Sequence, residues 1–387
     1  MAVEVIFITS FAMLAYTFVG YSALVYALSL FFSRLVRTAN FTPRVSVIIT
    51  ARNEDQHIAA KIENTLALDY PKDKLEVIVA SDCSTDRTDD IVRSFATRGV
   101  VLHRQWVRLG KTAAQNEAVR LSSGDILVFS DATTRLNPNA IKRIVRSFAD
   151  PDVGCVAGQL IYANPAASGV GSGCRSYWNW EKQIRHSESR LGSLIGVSGC
   201  LYAVKRSCHR RLTSDMIDDF VVASEIHLQG LRTVYDPDAL AFEHTNRQST
   251  QEFRMRVRVI EQTMSAIYRY WPLLCTKHDV FRFQLVSHKL LRYAAPVFFV
   301  SAYISNLLLV NQAELYRGIF VAMSVFYLSA FVGWTMDRLG CRIGPLTIPY
   351  YFVLANVASI VAFVKFVRGD SCVTWEPVRE PLELSTS

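Results

Sequence analysis

Hydrophobic residues along this chain fall into three zones. Residues 3–32 form a nearly unbroken apolar run with one charge, Glu4, longer than the roughly 20 residues a helix needs to cross a bilayer. The middle breaks into short β-branched runs: VSVIIT at 45–50, LEVIVAS at 75–81, VVLHR at 100–104, DILVFSD at 125–131 and VGCVAGQL at 153–160. Amphipathic stretches of helical length separate several of them. Three further apolar runs, 293–310, 318–336 and 345–364, close the pattern, parted by NQAELYR and DRLGCRIG, and each is long enough to span.

Strand-like runs alternating with helical stretches predict an α/β fold with a doubly wound, mostly parallel sheet. In such sheets ligands bind beyond the carboxyl ends of the strands, so chemistry is expected directly after each run. From 251 to 291 basic and aromatic residues mix (RMRVRV, YRYWPLL, FRFQLVSHKLLR), predicting amphipathic helices on a membrane surface. The expected organisation is a transmembrane helix with a basic flank at 1–40 and the sheet domain at 41–248. Interfacial helices at 249–291, about three transmembrane segments at 292–366 and a polar tail at 367–387 follow.

Charge orients this arrangement. Arg34, Arg37 and Arg44 follow the first run, Lys289 and Arg292 precede the second, and Arg338 and Arg342 lie between the last two. The positive-inside rule then places the sheet domain in the cytoplasm, as on a bacterial inner membrane, and the tail outside, although Lys365, Arg368 and Arg379 pull the tail inward. The first run has neither the basic start nor the small-residue cleavage site of a secretory signal, so it reads as an anchor.

Composition narrows the partners. Half of the 387 residues are hydrophobic, and the 20 % charged fraction lies below the roughly 25 % of soluble domains, which excludes a disordered or collagen-like chain. The net charge of +8 contains no Lys/Arg block of the nucleic-acid type. Its arginines recur near apolar segments and between 254 and 258, which suits membrane lipids or a phosphate-bearing substrate and no nucleic acid. Eight cysteines without CxxC or CxxH spacing read as free thiols in a reducing compartment.

Three strand ends carry carboxylates: ARNED with Asn53 and Glu54, DCSTDRT with Asp82 and Asp86, and DATTR with Asp131. A lone Asp there is more often a helix cap, and Asp86 or Ser84 suits that role for DRTDDIVRSF. Three such positions on one sheet edge argue for a site. Lys111 follows Gly110 at a helix start, where backbone N–H groups favour phosphate; a turn with a surface lysine is the alternative, and the spacing is not a Walker loop. Asp218 and Asp219 open another helix, either as an acidic pair complementing the dipole or as functional groups. There the helix terminus lowers a carboxyl pKa while burial raises it.

The ordered set RNE, SDxSTDxT, GKxxAxNxA, SDAxT, GxSGCxYAVKR, DD with Gly230 eleven residues later, and QEFRMR resembles the membrane-bound family 2 glycosyltransferases. That group includes bacterial cellulose, chitin-oligosaccharide, hyaluronan and poly-N-acetylglucosamine synthases. The resemblance covers about residues 44–262. It implies a GT-A fold and inverting transfer from a nucleotide diphosphate sugar, usually a uridine one, to a lipid-linked or growing glycan acceptor.

By position, the resemblance puts Asn53, Glu54 and Asp82 around base and ribose, and Lys111 near the nucleotide. Asp131 takes the first position of the DxD motif, beside the diphosphate and its Mg²⁺ or Mn²⁺. Asp219 stands as general base with Asp218 in place of the usual Glu, and Ser198, Gly199 and Cys200 line the acceptor or sugar site. Gln251 and Arg254 match QxxRW. On a helix they share a face with Arg258, suited to one pyrophosphate or to lipid headgroups. His244 is a further candidate for the metal, although a lone His near a helix start is more often structural. Trp178, Trp180 and Glu181 form either an acceptor wall or a packing cluster.

Two positions depart from the family pattern: Thr133 replaces the second DxD carboxylate and Met255 the aromatic of QxxRW. The second favours short products over a processive polysaccharide synthase. Together they leave a catalytically silent nucleotide-sugar-binding component as a further alternative. A transporter is disfavoured because the apolar runs carry few ionisable residues away from their ends.

Overall fold

The structure, a computed structural model, describes residues 1–162, 169–213, 216–244, 248–275, 280–341 and 344–370. The β-branched runs become strands of one sheet: β1 (Val45–Ala51), β2 (Leu75–Ser81), β3 (Val100–Arg104), β4 (Ile126–Asp131), β5 (Arg135–Leu136), β6 (Val153–Tyr162), β7 (Tyr202–Lys205) and β8 (Arg232–Glu243). Their order is β3-β2-β1-β4-β7-β6-β8-β5. The β3-β2-β1-β4 half is parallel, as is the β6–β8 pair, while β7 runs antiparallel to β4 and β6, and β5 to β8. This is the expected mostly parallel α/β sheet with one reversed strand at its centre.

Every residue of β1 is buried because both faces of the sheet are covered. Val45, Val47 and Ile49 pack with Ile58, Ile62, Ile141 and Ile144 on one face. Ile48 packs with Ala114, Ala118, Phe220 and Val221 on the other. Each fully buried Val or Ile contributes about 1.5–3 kcal/mol. The parallel register sets Ala51 opposite Ser81 and Thr50 opposite Asp131, so the loops after β1, β2 and β4 leave the same edge.

The strands not expected from the pattern are short or interrupted. β8 carries Asp236, Pro237 and Asp238 in its middle, which read as a turn, and its register with β6 shifts between Ala157 and Gln159. Proline is tolerated in sheets at such irregularities. Gly158 sits within the shift, where a Cβ would lie 2.8 Å from the Ala239 carbonyl oxygen.

Three helices among the described residues are long and apolar enough to cross a membrane: Ala2–Phe31, Glu314–Arg338 and Gly344–Arg368. The remaining expected span is a helix, Leu291–Leu309, but it falls outside that set; Arg292, Ser301, Ser305 and a fully buried Asn306 dilute its apolarity. It packs through Ala295 and Ala302 on Leu14 of the N-terminal helix.

The Ser249–Leu274 helix joins the two parts of the molecule. Its Val257 and Ile260 pack on Ala358 and Ala362 of the last apolar helix, while Ala266 and Ile267 enter the core under the sheet. A short helix, Val280–Gln284, and a π turn, Leu285–Leu290, then lead into Leu291–Leu309. The described thiols Cys83, Cys155, Cys200, Cys208, Cys275 and Cys341 are free. The Cys174 and Trp178 side chains, Arg342, Cys372 and Arg379 lie outside the described residues.

Candidate active site

The loops after β1 and β2 are stitched together by the side chains expected to hold a nucleotide. Asn53 and Cys83 both adopt positive φ, at 52° and 54°. Asn53 Oδ1 accepts from the Thr85 N–H at 2.7 Å, and the Asn53 N–H donates to Ser84 Oγ at 3.1 Å. The Glu54 N–H donates to Thr88 Oγ1 at 2.7 Å, and the Glu54 carboxylate meets His57 Nδ1 at 3.1 Å. Asp86 sits one residue before the Arg87 N-cap of the next helix and accepts from the Thr88 N–H at 3.0 Å.

Asp82 is fully buried. Its Oδ1 accepts from the backbone N–H groups of Leu109 (3.0 Å) and Gly110 (3.2 Å), while Oδ2 is buried without a hydrogen-bond partner. The second strand end therefore shapes the turn that delivers Lys111. Gly110 holds φ at 90°, a value open to glycine, and Lys111 starts the next helix.

Lys111 draws the carboxylates together. Its Nζ lies 2.9 Å from Asp131 Oδ1 and 3.5 Å from Asp218 Oδ2. Burial alone would lower the ammonium pKa, but Asp131, Asp218 and Asp219 more than offset it and hold the charge. Asp218 also accepts from Gln115 Nε2 at 3.0 Å and the Tyr202 hydroxyl at 3.2 Å. Against the cost of burial, Lys111 and these donors keep Asp218 below the usual carboxylate range.

Asp219 is treated oppositely. Its Oδ1 is buried with no hydrogen-bond partner, and burial followed by the neighbouring Asp218 charge pushes its carboxyl up to about 7. Adjacent carboxyls are thus shifted in opposite directions, Asp218 down and Asp219 up. Gly199 allows Lys111, Asp131 and Asp219 to approach the backbone closely: a Cβ there would stand 2.9 Å from Lys111 Nζ, 3.2 Å from Asp131 Oδ2 and 3.3 Å from Asp219 Oδ1.

Several groups at this edge went unread in the sequence. Lys61 is fully buried and donates to Ser130 Oγ and the Thr134 carbonyl, both at 2.7 Å. Burial lowers it to about 7, against attraction by Asp131, Cys200 and Glu243. A signal existed: Ile58, Lys61, Ile62 and Thr65 share the buried stripe of one helix, where lysine is out of place. Glu243, at the end of β8, accepts from Thr133 Oγ1 at 3.1 Å and Cys200 Sγ at 2.9 Å.

On the membrane side, His288 bridges Glu188 (2.7 Å) and Glu181 (3.2 Å), Arg292 donates to Glu181 at 2.9 Å, and the Tyr21 hydroxyl donates to Glu188. This buried network ties the N-terminal helix, the Gly169–Leu191 helix and the Leu285–Leu290 turn together. It sets Lys289 beside the site, over the Phe220 ring at 5.6 Å and 3.8 Å from the position of a Gly196 Cβ. Burial and Arg185 bring Lys289 down to about 8. Glu181 and Trp180 are packed into this cluster, with the Arg292 guanidinium 4.3 Å from the Trp180 ring centroid.

The Gln251 helix presents two faces. Glu252, Phe253 and Arg256 turn to the last apolar helix, with Arg256 over Tyr351 at 4.7 Å. Gln251 and Arg258 lie partly buried elsewhere on its surface, Gln251 Oε1 has no hydrogen-bond partner, and Arg254 is exposed. His244 is exposed directly after Glu243.

A divalent ion accompanying a diphosphate takes one or two carboxylates and completes its shell with phosphate oxygens and water. Among the described residues no three His, Cys, Asp or Glu side chains are arranged to hold a metal by themselves. Asp131, a single carboxylate close to the Gly199 backbone, fits the first kind of site and not a self-sufficient cage.

Residues 46–213 match the model of glycosyl transferase family 2. The chain is 26 % identical to a beta-monoglucosyldiacylglycerol synthase of Synechocystis over 276 residues, 66 % of this chain and 56 % of that protein. It is 26 % identical to a poly-beta-1,6-N-acetyl-D-glucosamine synthase of Staphylococcus aureus over 205 residues, covering 51 % and 49 %. The chain thus spans about half the length of the curated relatives it matches. A mannosyltransferase from Pyrobaculum calidifontis, solved with GDP-Man and Mn²⁺, superposes with a TM-score of 0.72 at 23 % identity, over 95 % of this chain and 100 % of that one. At that identity the likeness is one of fold.

Proposed function

We propose that this chain, whose residues 46–213 form a family 2 glycosyltransferase domain on a GT-A fold, moves a sugar with inversion from a nucleotide diphosphate sugar, uridine-linked, to a lipid-linked or glycan acceptor at a membrane. The observation that carries this reading is the unpartnered, buried Oδ1 of Asp219 beside Lys111 and Asp131.

An acceptor hydroxyl is a poor nucleophile near neutral pH, and a positioned carboxylate that takes its proton contributes roughly 10²–10⁴ in rate. Asp219, raised to about 7, is a stronger base than an ordinary Asp, and its Oδ1 has a free lone pair to receive that proton. Attack from the face opposite the leaving nucleotide inverts the anomeric centre. Negative charge then grows on the diphosphate, where the Lys111 ammonium is held in place by Asp131 and Asp218. Asp131 would hold a Mg²⁺ or Mn²⁺ ion, which when bound stabilises that leaving group electrostatically. Asn53, Glu54 and Asp82 shape the nucleotide loops, and Ser198, Gly199 and Cys200 the sugar side. Gln251, Arg254 and Arg258 meet phosphate or headgroups from the joining helix.

A membrane acceptor suits the architecture. Three apolar helices flank the domain, and Lys289 reaches the site from the segment leading to Leu291–Leu309. The relative named as a glucosyldiacylglycerol synthase supports a lipid acceptor, and Met255 in place of the aromatic favours short products. The domain faces the cytoplasm under the positive-inside rule. The test is mass spectrometry of products after incubating the solubilised protein with a mixed nucleotide-sugar pool, Mn²⁺ and membrane lipids. One or a few added hexose or N-acetylhexosamine units on lipid are expected; unchanged lipids and donors would remove the proposal.

A further inference from the structure

We propose that Glu243 supplies the carboxylate missing at Thr133, acting with Asp131 as the second protein ligand of the divalent cation that accompanies the nucleotide diphosphate. The inference rests on the glycosyltransferase reading and adds a residue to its metal site.

The argument begins with chain geometry. The loop after β4 turns directly into β5, which pairs antiparallel with the end of β8 through Arg135 and Phe242 and through Leu136 and Ala241. That register brings Glu243, 110 residues away in sequence, to Thr133, whose Oγ1 donates to Glu243 Oε1 at 3.1 Å. The position where a family member would carry its own carboxylate is thus occupied by a hydroxyl that holds another one.

The second oxygen points the same way. Glu243 Oε2 accepts from Cys200 Sγ at 2.9 Å. Cys200 follows Gly199, whose lack of a side chain lets Asp131 Oδ2 come within 3.2 Å of where a Cβ would stand. Ser130, next to Asp131, donates to the Cys200 carbonyl at 2.8 Å, locking the two rims together. Asp131, at the end of β4, and Glu243, at the end of β8, are therefore brought to the same edge of the sheet through Cys200 and Thr133.

The chemistry of Glu243 also fits a ligand better than a structural anchor. Glu243 is half-buried, and a carboxylate partly withdrawn from water favours a cationic partner. Among the described residues its hydrogen-bond donors are Thr133 Oγ1 and Cys200 Sγ, while the Lys61 and Lys111 ammoniums attract it without a direct bond. Its two donors are a hydroxyl and a weak thiol, leaving a lone pair on each oxygen for a hard cation.

The test measures metal binding, not turnover. Mn²⁺ is titrated into the full-length solubilised protein with saturating UDP, and in parallel GDP, and read by loss of the free Mn²⁺ electron paramagnetic resonance signal. Wild type, Asp131→Asn, Glu243→Gln and the double variant Thr133→Asp/Glu243→Gln are compared, with metal-free nucleotide binding as the check on folding. Glu243→Gln should weaken Mn²⁺ binding at least ten-fold while binding nucleotide normally, and the double variant should regain most of it. Mn²⁺ affinity in Glu243→Gln within two-fold of wild type, with Asp131→Asn impaired, overturns the proposal alone. Loss of metal-free nucleotide binding in Glu243→Gln that the double variant does not restore also overturns it, by making Glu243 a structural residue. No nucleotide-dependent Mn²⁺ binding in wild type overturns both this proposal and the donor reading.

Discussion

Lys111 Nζ and Asp219 Oδ1 converge on the one space that a side chain at position 199 would fill: a Cβ there would stand 2.9 Å from the ammonium and 3.3 Å from the carboxylate. An ammonium and a carboxylate are thus packed around a volume too small for a methyl group.

Gly199→Ala tests that volume. The crowded atoms are ends of side chains, so the protein folds, but Lys111 and Asp131 must part. A displacement of this size costs on the order of 10²-fold in kcat/KM, with little change in melting temperature. Gly158→Ala is the contrast, because its Cβ meets backbone oxygen at 2.8 Å. It should lower stability by about 1–3 kcal/mol through overpacking, measured by denaturant unfolding.

The pH dependence follows from Asp219. Its carboxylate is the active form, so kcat/KM should rise with pH through about 7 and level above it. Lys289 favours the ionised form of Asp219. Lys289→Met should therefore move this acid limb to higher pH, whereas an unmoved limb would assign the titration to another group.

Stability should carry the opposite sign. A carboxyl at about 7 in the folded protein and about 3.9 unfolded binds its proton more tightly when folded, so native stability falls as pH rises through that window. Asp219→Asn removes this loss. Its gain in melting temperature over wild type should be larger at pH 8 than at pH 5.

Asp82 was expected at the base and ribose, and its observed bonds give a separate prediction. Asp82→Ala strips the acceptor from the Leu109 and Gly110 N–H groups. Losing an acceptor for buried donors costs about 1–3 kcal/mol. Nucleotide affinity should fall with stability, because the turn carrying Lys111 loosens; Asp82→Asn, which keeps an acceptor oxygen, should recover much of both.

The sheet was readable where strands are continuous β-branched runs: the bounds of β2 and β3 coincide with LEVIVAS and VVLHR. β8 was not, because Asp236, Pro237 and Asp238 interrupt it and its pairing with β6 and β5 is what stabilises it as a strand. The strand-end residues Asn53, Asp82 and Asp131 were legible because parallel register forces those ends to one edge. Glu243 and Lys289 were not, since each arrives from a distant segment by tertiary pairing. The second apolar run, 293–310, forms the helix Leu291–Leu309, which Arg292 and Asn306 make less apolar than the other three.

The most direct test compares wild type and Asp219→Asn across a panel of nucleotide sugars with membrane acceptors, reading transfer and the anomeric configuration of the product by nuclear magnetic resonance. The account predicts a β-linked product from an α-linked donor in wild type, and a loss of about 10²–10⁴ in rate with nucleotide binding retained in the variant. Retention of configuration, or turnover in Asp219→Asn equal to wild type, would contradict it.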